Sequence, residues 1–282
     1  MSHTVIDSHH HFWQLSRGDY QWLTPALTQL YRDYLPEDYT QAVSLHKPAQ
    51  TVLVQAAATD AETDFMLALA KNSAVIGGVV GWIDWTLSEQ QVCQRLSTLC
   101  ELQKFKGVRP MLQDIEDVEW ILNPAFAPIF KQLETRGLTF DALVKTEHLE
   151  SIKNISQQYP QLNIVIDHCA KPDIANNEFQ TWATALSTFK TCSNVYIKLS
   201  GLTTEAASEQ TEAVNFIHYL QLVTEIFGSS RMMWGSDWPV VNINSSYTDW
   251  YSLTEQLTDD WCAEDKQNLW SNTAKAFYKL VS

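Results

Sequence analysis

Between Val5 and Trp13 the chain reads VIDSHHHFW. An apolar pair, Val5 and Ile6, runs directly into an aspartate and three consecutive histidines. Side chains of an extended strand alternate between its faces. Asp7, His9 and His11 are therefore expected on one face, with Ile6, Ser8 and His10 on the other. An aspartate and two imidazoles gathered at a strand end make poor core filler. They make good metal ligands, or good donors to a polarised oxygen. A purification tag would be a longer histidine run without the apolar lead-in. A solvated turn is the plainer alternative, and the far end of the chain, where Asp237 closes the run MMWGSD, argues against it.

Such groups need elements to hold them. Short β-rich runs recur at Thr4–Asp7, Thr51–Gln55, Val75–Trp82, Phe105–Arg109, Leu138–Leu143, Asn163–His168, Val195–Leu199 and Met232–Asp237. Helical stretches separate them. Asp60–Lys71 follows a Thr59 cap, Ser88–Glu101 opens on serine, and Pro124–Thr135 has Pro at its start and Gly137 past its end. Glu147–Gln158, Phe179–Phe189, Thr211–Phe227, Tyr247–Leu257 and Glu264–Val281 complete the set.

Eight strand–helix units imply parallel pairing with right-handed crossovers. The expected fold is a single-domain α/β (β/α)8 TIM barrel over residues 1–282, rather than an open doubly wound sheet. No glycine-rich dinucleotide fingerprint or phosphate loop follows any strand. The segment Gln14–Asp38, rich in aromatics, is expected to be a cap or long loop over the mouth.

Composition narrows the partners. The 282 residues carry a formal net charge of −14, against nucleic acid or an anionic membrane as partner. There is no run of 18 apolar residues and no leader-like basic-then-apolar start over residues 1–12. Cys93, Cys100, Cys169, Cys192 and Cys262 form no Cys-x-x-Cys pair, which suits free thiols in a cytoplasmic protein. A small molecule is the expected partner. A homo-oligomer is left open, since the tryptophan-bearing Gln14–Asp38 segment could serve a lid or a dimer contact.

In a barrel of this kind the working groups come from the C-terminal strand ends. Here those ends carry His9 and His11, Gln55, Asp84, Arg109, Asp141, Asp167–His168, Lys198 and Asp237. Each alone has a plain structural explanation: a surface ion pair for Arg109, a satisfied core histidine for His168, a helix cap for Asp141. Together they resist one, because burying many charges without a task is costly.

Three motifs carry a family resemblance: Asp7-Ser8-His9-His10-His11-Phe12-Trp13, Asp167-His168-Cys169-Ala170-Lys171-Pro172 and Gly235-Ser236-Asp237-Trp238-Pro239. They resemble the amidohydrolase superfamily. With Gly81-Trp82, Lys106-Gly107-Val108-Arg109 and Lys198-Leu199-Ser200-Gly201, the chain resembles its sugar-acid lactonase branch, that of the fuconolactonases, rhamnonolactonases and 2-pyrone-4,6-dicarboxylate lactonases. The resemblance implies that Asp237 activates water, with His9, His11 and His168 as its catalytic companions. The binuclear members of the superfamily carry a bridging lysine or glutamate at strand four and a histidine at strand five. This chain has Arg109 and Asp141 there, and Lys106 is expected on the opposite face from Arg109. The resemblance therefore implies hydrolysis with no required cofactor, although His9, His11 and Asp237 could hold one zinc ion.

The expected reaction is the opening of a sugar-acid lactone such as an L-fucono- or L-rhamnono-lactone. Asp237 is expected to deprotonate water, its pKa raised by partial burial. His9, His11, His168 and Arg109 are candidates to hold the oxyanion. Arg109, Trp13, Trp22, Trp82, Asp84, Lys171 and Lys198 are the expected substrate-binding residues, and Trp238 could likewise cover a sugar ring. Two other readings use the same residues: a metal-dependent decarboxylase or hydratase, and a barrel that binds without chemistry.

Overall fold

The computed structural model describes residues 4–281. Eight strands form one sheet in chain order: β1 (Ile6–His10), β2 (Gln50–Val54), β3 (Ile76–Gly81), β4 (Phe105–Val108), β5 (Thr139–Ala142), β6 (Ile164–Ile166), β7 (Val195–Leu199) and β8 (Met232–Trp234). Every neighbouring pair is parallel. The ring closes beyond β8. His11 N donates to Trp238 O at 2.7 Å and Asp237 N to His9 O at 2.8 Å. This is the expected (β/α)8 barrel, and each strand overlaps the run that predicted it.

Ten helices surround it among the described residues: α1 (Pro36–Ala42), α2 (Asp60–Lys71), α3 (Glu89–Cys100), α4 (Ala127–Arg136), α5 (Leu149–Gln158), α6 (Phe179–Ser187), α7 (Ala213–Phe227), α8 (Tyr247–Leu257), α9 (Ala263–Gln267) and α10 (Thr273–Phe277). The caps act as expected. Thr59 accepts from Glu62 N, Ser88 and Gln91 cap each other's backbone, and Gly137 takes the left-handed conformation that ends α4.

Two expectations are corrected. The stretch expected as one helix over Glu264–Val281 is α9, a wide turn at Asn268–Asn272 and α10. Leu269, Trp270 and Ser271 are consecutive and all buried. A regular helix turns one of three adjacent side chains away from the core, whereas a wider turn can keep all three against it. The second correction concerns Gln14–Asp38, whose end is already helical because α1 begins at Pro36. The rest is irregular but packed. Trp13 and Tyr34 pair through their backbones, Trp22 Nε1 donates to Ala56 O at 2.7 Å, and Tyr20 OH donates to Glu62 at 2.7 Å.

Two apolar clusters hold the molecule together. The larger fills the space between sheet and helices. The smaller joins Ile6, Val52, Val54, Val80, Val165 and Met233 to Phe277, Tyr278 and Leu280 near the chain's end. Burying each such side chain contributes about 1.5–3 kcal/mol, so this part of the barrel is a packed interior rather than a pore. Among the described residues no helix is long and apolar enough to cross a membrane.

Candidate active site

The first strand does not alternate as expected. Its register slips between Asp7 and His10. His9 and His11 point together, their Nε2 atoms 3.2 Å apart. Asp7 instead faces Tyr39 on α1 and Ser236, and His10 stacks on Tyr39 at 4.5 Å. A bulge reassigns every face beyond it, so Asp7 leaves the set that strict alternation gave it.

Asp237 meets the histidine pair from across the barrel seam. Its Oδ1 lies 3.3 Å from His11 Nε2 and 3.7 Å from His9 Nε2. His168 Nδ1 lies 3.8 Å from its Oδ2 and 2.9 Å from Ser200 Oγ. His168 sits where β6 gives way to four consecutive left-handed residues, His168 to Lys171. Non-glycine residues pay for that conformation, and such strain concentrates at working sites. It does something definite here. Asp167 and His168 are adjacent and would face opposite ways in a strand, yet both belong to the site. Gly201 leaves room for the turn: a Cβ there would lie 2.8 Å from the His168 ring. Gly235 does the same for His9, at 2.7 Å from its Cβ.

Beneath the histidines lies a buried ionic network. Lys198 Nζ donates to Asp141 Oδ2 at 2.6 Å and to His9 Nδ1 at 3.0 Å, and lies 3.0 Å from Asp167 Oδ1. Tyr278 OH donates to Asp141 at 2.6 Å. Arg109 pairs with Asp167 at 3.1 Å and donates to Gln55 O, whose side-chain amide donates back to Arg109 O. Lys106 points elsewhere, as expected, toward Lys279 O near the chain end.

This network assigns protons. An ammonium has donors and no acceptor, so His9 Nδ1 must accept from Lys198. That bond is shorter than the 3.4 Å approach of Arg109 Nη1 to His9 Nε2, so Nε2 carries the hydrogen and presents it toward His11 and Asp237. Burial, reinforced by the Lys198 charge, holds the His9 pKa well below its ordinary value. Burial likewise pushes His168 down to about 4, against the pull of Asp237 and Asp167. His11 donates Nδ1–H to Val54 O at 2.8 Å, which leaves its Nε2 facing Asp237.

The carboxylates divide. Burial raises Asp141 above its ordinary value despite Lys198. Burial acts on Asp167 too, but Lys198, His9 and Arg109 outweigh it and hold that carboxyl well below the usual range. Asp237 behaves similarly and corrects an expectation. Burial alone would raise it, but the neighbouring His168, His11 and Lys171 bring it below the ordinary carboxylate value.

The other expected binding residues scatter. Lys171 sits at the rim, half-buried, paired with Glu205 at 3.1 Å. Trp22 and Trp82 are half-buried, and the Trp82 backbone is held both ways by Thr63 Oγ1. Trp13 and Trp238 are core side chains packed among Tyr34, Phe12 and Tyr39, with almost no surface to offer a ligand. Asp84 closes its own turn by accepting from Thr86 N and Oγ1. The expected binding set did not include Asp141, Asp167 or Ser200. The signal for two of them was present: Asp167 precedes the expected His168, and Ser200 follows the strand that carries Lys198.

His9, His168 and Asp237 offer three ligand atoms within 4.8 Å of one another. Two imidazoles and a carboxylate are donors that zinc takes. The set expected from the sequence was His9, His11 and Asp237; the trio that comes together has His168 in place of His11. His9 could ligate through Nε2 only by moving its proton to Nδ1, where Asp167 Oδ1, 3.5 Å away, can receive it in place of Lys198. The residues therefore fit an ion.

A closed parallel barrel with its ionisable groups at the strand ends, three histidines around an eighth-strand aspartate, defines a class of hydrolase-like barrels. Residues 6–280 match the amidohydrolase family, and the chain belongs to it. It is 36% identical over 279 residues to an L-fucono-1,5-lactonase of Burkholderia ambifaria, covering 98% of this chain and 95% of that one. An L-rhamnono-gamma-lactonase of Scheffersomyces stipitis is 24% identical over 202 residues, 63% of this chain and 60% of that one. A crystal structure of a Burkholderia multivorans amidohydrolase with bound zinc superposes with a TM-score of 0.90 at 32% identity, covering 99% and 100% of the two chains. These relatives bear out the resemblance to the sugar-acid lactonases.

Proposed function

We propose that this protein is a lactonase that opens a sugar-acid lactone, an aldonolactone such as L-fucono- or L-rhamnono-lactone. One observation carries the mechanism: Asp237 is ringed by His9, His11 and His168, with Oδ1 3.3 Å from His11 and Oδ2 3.8 Å from His168. Asp237 takes a proton from water, and the resulting hydroxide attacks the lactone carbonyl. His9, bearing its hydrogen on Nε2, donates to the oxygen as it becomes negative, with His168 and the Arg109 charge beside it. The ring C–O bond then breaks, and protonated Asp237 returns its proton to the departing alkoxide. Asp237 is ionised throughout the neutral range and so is always ready as a base. Its low basicity is tolerable because a lactone is an activated ester.

The electrostatics favour an uncharged substrate. Arg109 and Lys198 are already paired with Asp167 and Asp141, and Lys171 with Glu205. No free cation at these positions awaits a substrate carboxylate, as a dicarboxylate would require. Arg109 and Lys198 therefore support the machinery from below, while Lys171, Trp22 and Trp82 are the rim residues left to meet a sugar. Five unpaired cysteines suit a reducing compartment.

A divalent ion held by His9, His168 and Asp237 would polarise a carbonyl and lower the pKa of bound water. That trio favours a second reading, a metal-dependent decarboxylase or hydratase. One experiment separates the two. In a pH-indicator assay over a panel of aldonolactones, acid release is expected both before and after exhaustive chelation. Failure to open any member of the panel would sink the lactonase. Loss of activity on chelation, restored by zinc, would favour the metal-dependent route.

A further inference from the structure

Asp7 is wholly buried, touches none of the three histidine rings, and spends all its capacity at one place. Its Oδ1 accepts from Ser236 N at 2.9 Å and from His9 N at 3.2 Å. Its Oδ2 accepts from Ser236 Oγ at 2.6 Å and from Tyr39 OH at 2.8 Å. Ser236 Oγ in turn accepts from Trp238 N at 3.0 Å. One carboxylate thus grips the backbone of the residue before Asp237 and the backbone of His9. Those two segments meet only at the barrel seam, where Asp237 N donates to His9 O at 2.8 Å. Asp237 itself is held in the left-handed conformation, φ 56°. A non-glycine residue keeps that shape only when its surroundings over-determine it.

A buried carboxylate is costly, and an apolar residue would pack the seam more cheaply. What an apolar residue cannot do is accept four hydrogen bonds at once, from His9, from Ser236 and from Tyr39 on α1. We propose that Asp7 is a positioning residue for the reaction: through Ser236 it fixes the turn that aims Asp237 at the histidines. The two halves of its grip differ in purpose. The Ser236 half sets the aim of the carboxylate. The Tyr39 half fastens α1 to the barrel and leaves the aim unchanged. This rests on the reading of Asp237 as the base.

Ser236→Ala and Tyr39→Phe each remove one hydroxyl from the same Asp7 oxygen, so a purely structural role predicts equal effects. The full-length variants are assayed with L-fucono-1,5-lactone and melted in parallel. Ser236→Ala is expected to lose about 10²-fold in kcat with KM retained, as a misaimed catalytic group does. Tyr39→Phe is expected to keep both constants while its melting temperature falls. Asp7→Asn, which keeps the shape and halves the acceptor capacity, provides the second reading and should repeat the kcat loss if Ser236→Ala does not fold. Equal changes in kcat for Ser236→Ala and Tyr39→Phe, or full kcat in Asp7→Asn, would overturn the proposal. Asp237→Asn runs alongside. If it turns over at the unmodified rate, the base assignment falls and this proposal with it. If it is dead while Ser236→Ala is fully active, only the role of Asp7 falls.

Discussion

Two regions of the barrel interior could hardly differ more. One is apolar: Ile6, Val52, Val54, Val80, Val165 and Met233, packed with Phe277, Tyr278 and Leu280. The other is ionic: His9, Arg109, Asp141, Asp167, Lys198 and Asp237, each almost fully buried. Tyr278 joins the halves, its ring in the apolar cluster and its hydroxyl on Asp141. The apolar half supplies the stability that lets the other half keep charges out of water. The ionic half contributes little net stability, because desolvation offsets most of the attraction between buried pairs. What it provides is fixed proton positions.

That contrast can be broken from either side. The largest effect is expected from Asp237→Asn, which removes the proposed base and leaves the packing untouched. Turnover of the aldonolactone should fall by about 10²–10⁴-fold, with the unfolding midpoint nearly unchanged. A variant that hydrolyses at the normal rate would show that this half does some other chemistry. Lys198→Met tests the proton assignment. It strands Asp141 and Asp167 without their ammonium and frees His9 Nδ1. A loss of about 3–5 kcal/mol in stability is expected, together with a fall in kcat, since His9 Nε2 then need not carry the hydrogen. Full activity in a folded Lys198→Met protein would mean that the ammonium does not set the tautomer.

In the apolar half, Met233→Ala should cost about 2–5 kcal/mol by opening a cavity and leave kcat alone in the surviving folded fraction. A kcat loss there would mean that the halves are mechanically coupled. The smallest effect concerns a buried carboxylate that lies outside both. Burial raises Glu62, beside the Gln14–Asp38 segment, from 4.5 to about 7, against hydrogen bonds from Tyr20 OH and Ala56 N and the partly exposed Arg17 at 3.4 Å. Between those pH values the folded protein holds a proton that the unfolded chain has released, so stability falls as pH rises through the window. Glu62→Gln should flatten that slope in melting temperature against pH. Asp7, raised by burial to about 6, keeps a residual slope of the same sign. An unaltered slope in Glu62→Gln would place the titration elsewhere.

Much of the barrel is legible in the sequence alone. Strand-length apolar runs, helix caps at Thr59 and Ser88 and the stop at Gly137 are local signals, and locally decided structure followed them. The strand-end polar residues were also legible as a group, because alternation and burial cost are properties of single segments. Three things were not. The slip inside β1 sent Asp7 away from His9. The left-handed turn at His168 brought two adjacent side chains into one site. The wide turn at Asn268–Asn272 broke the last helix. Each depends on what packs against the segment from elsewhere in the chain: Tyr39 and Ser236 for the first, Gly201 for the second, the buried run Leu269–Ser271 for the third.

The sequence by itself determined which residue types reach the strand ends, because hydrophobic period and turn chemistry act over a few neighbours. Only the tertiary structure decided which of those residues meet, and so where the protons sit. His9 becomes a donor through Lys198, Asp237 stays ionised against its own burial, and Trp13 becomes core rather than binding surface. The physical reason is distance along the chain: 189 residues separate Lys198 from His9 and 226 separate Asp237 from His11. No local rule specifies a hydrogen bond across such gaps. Closing the barrel does.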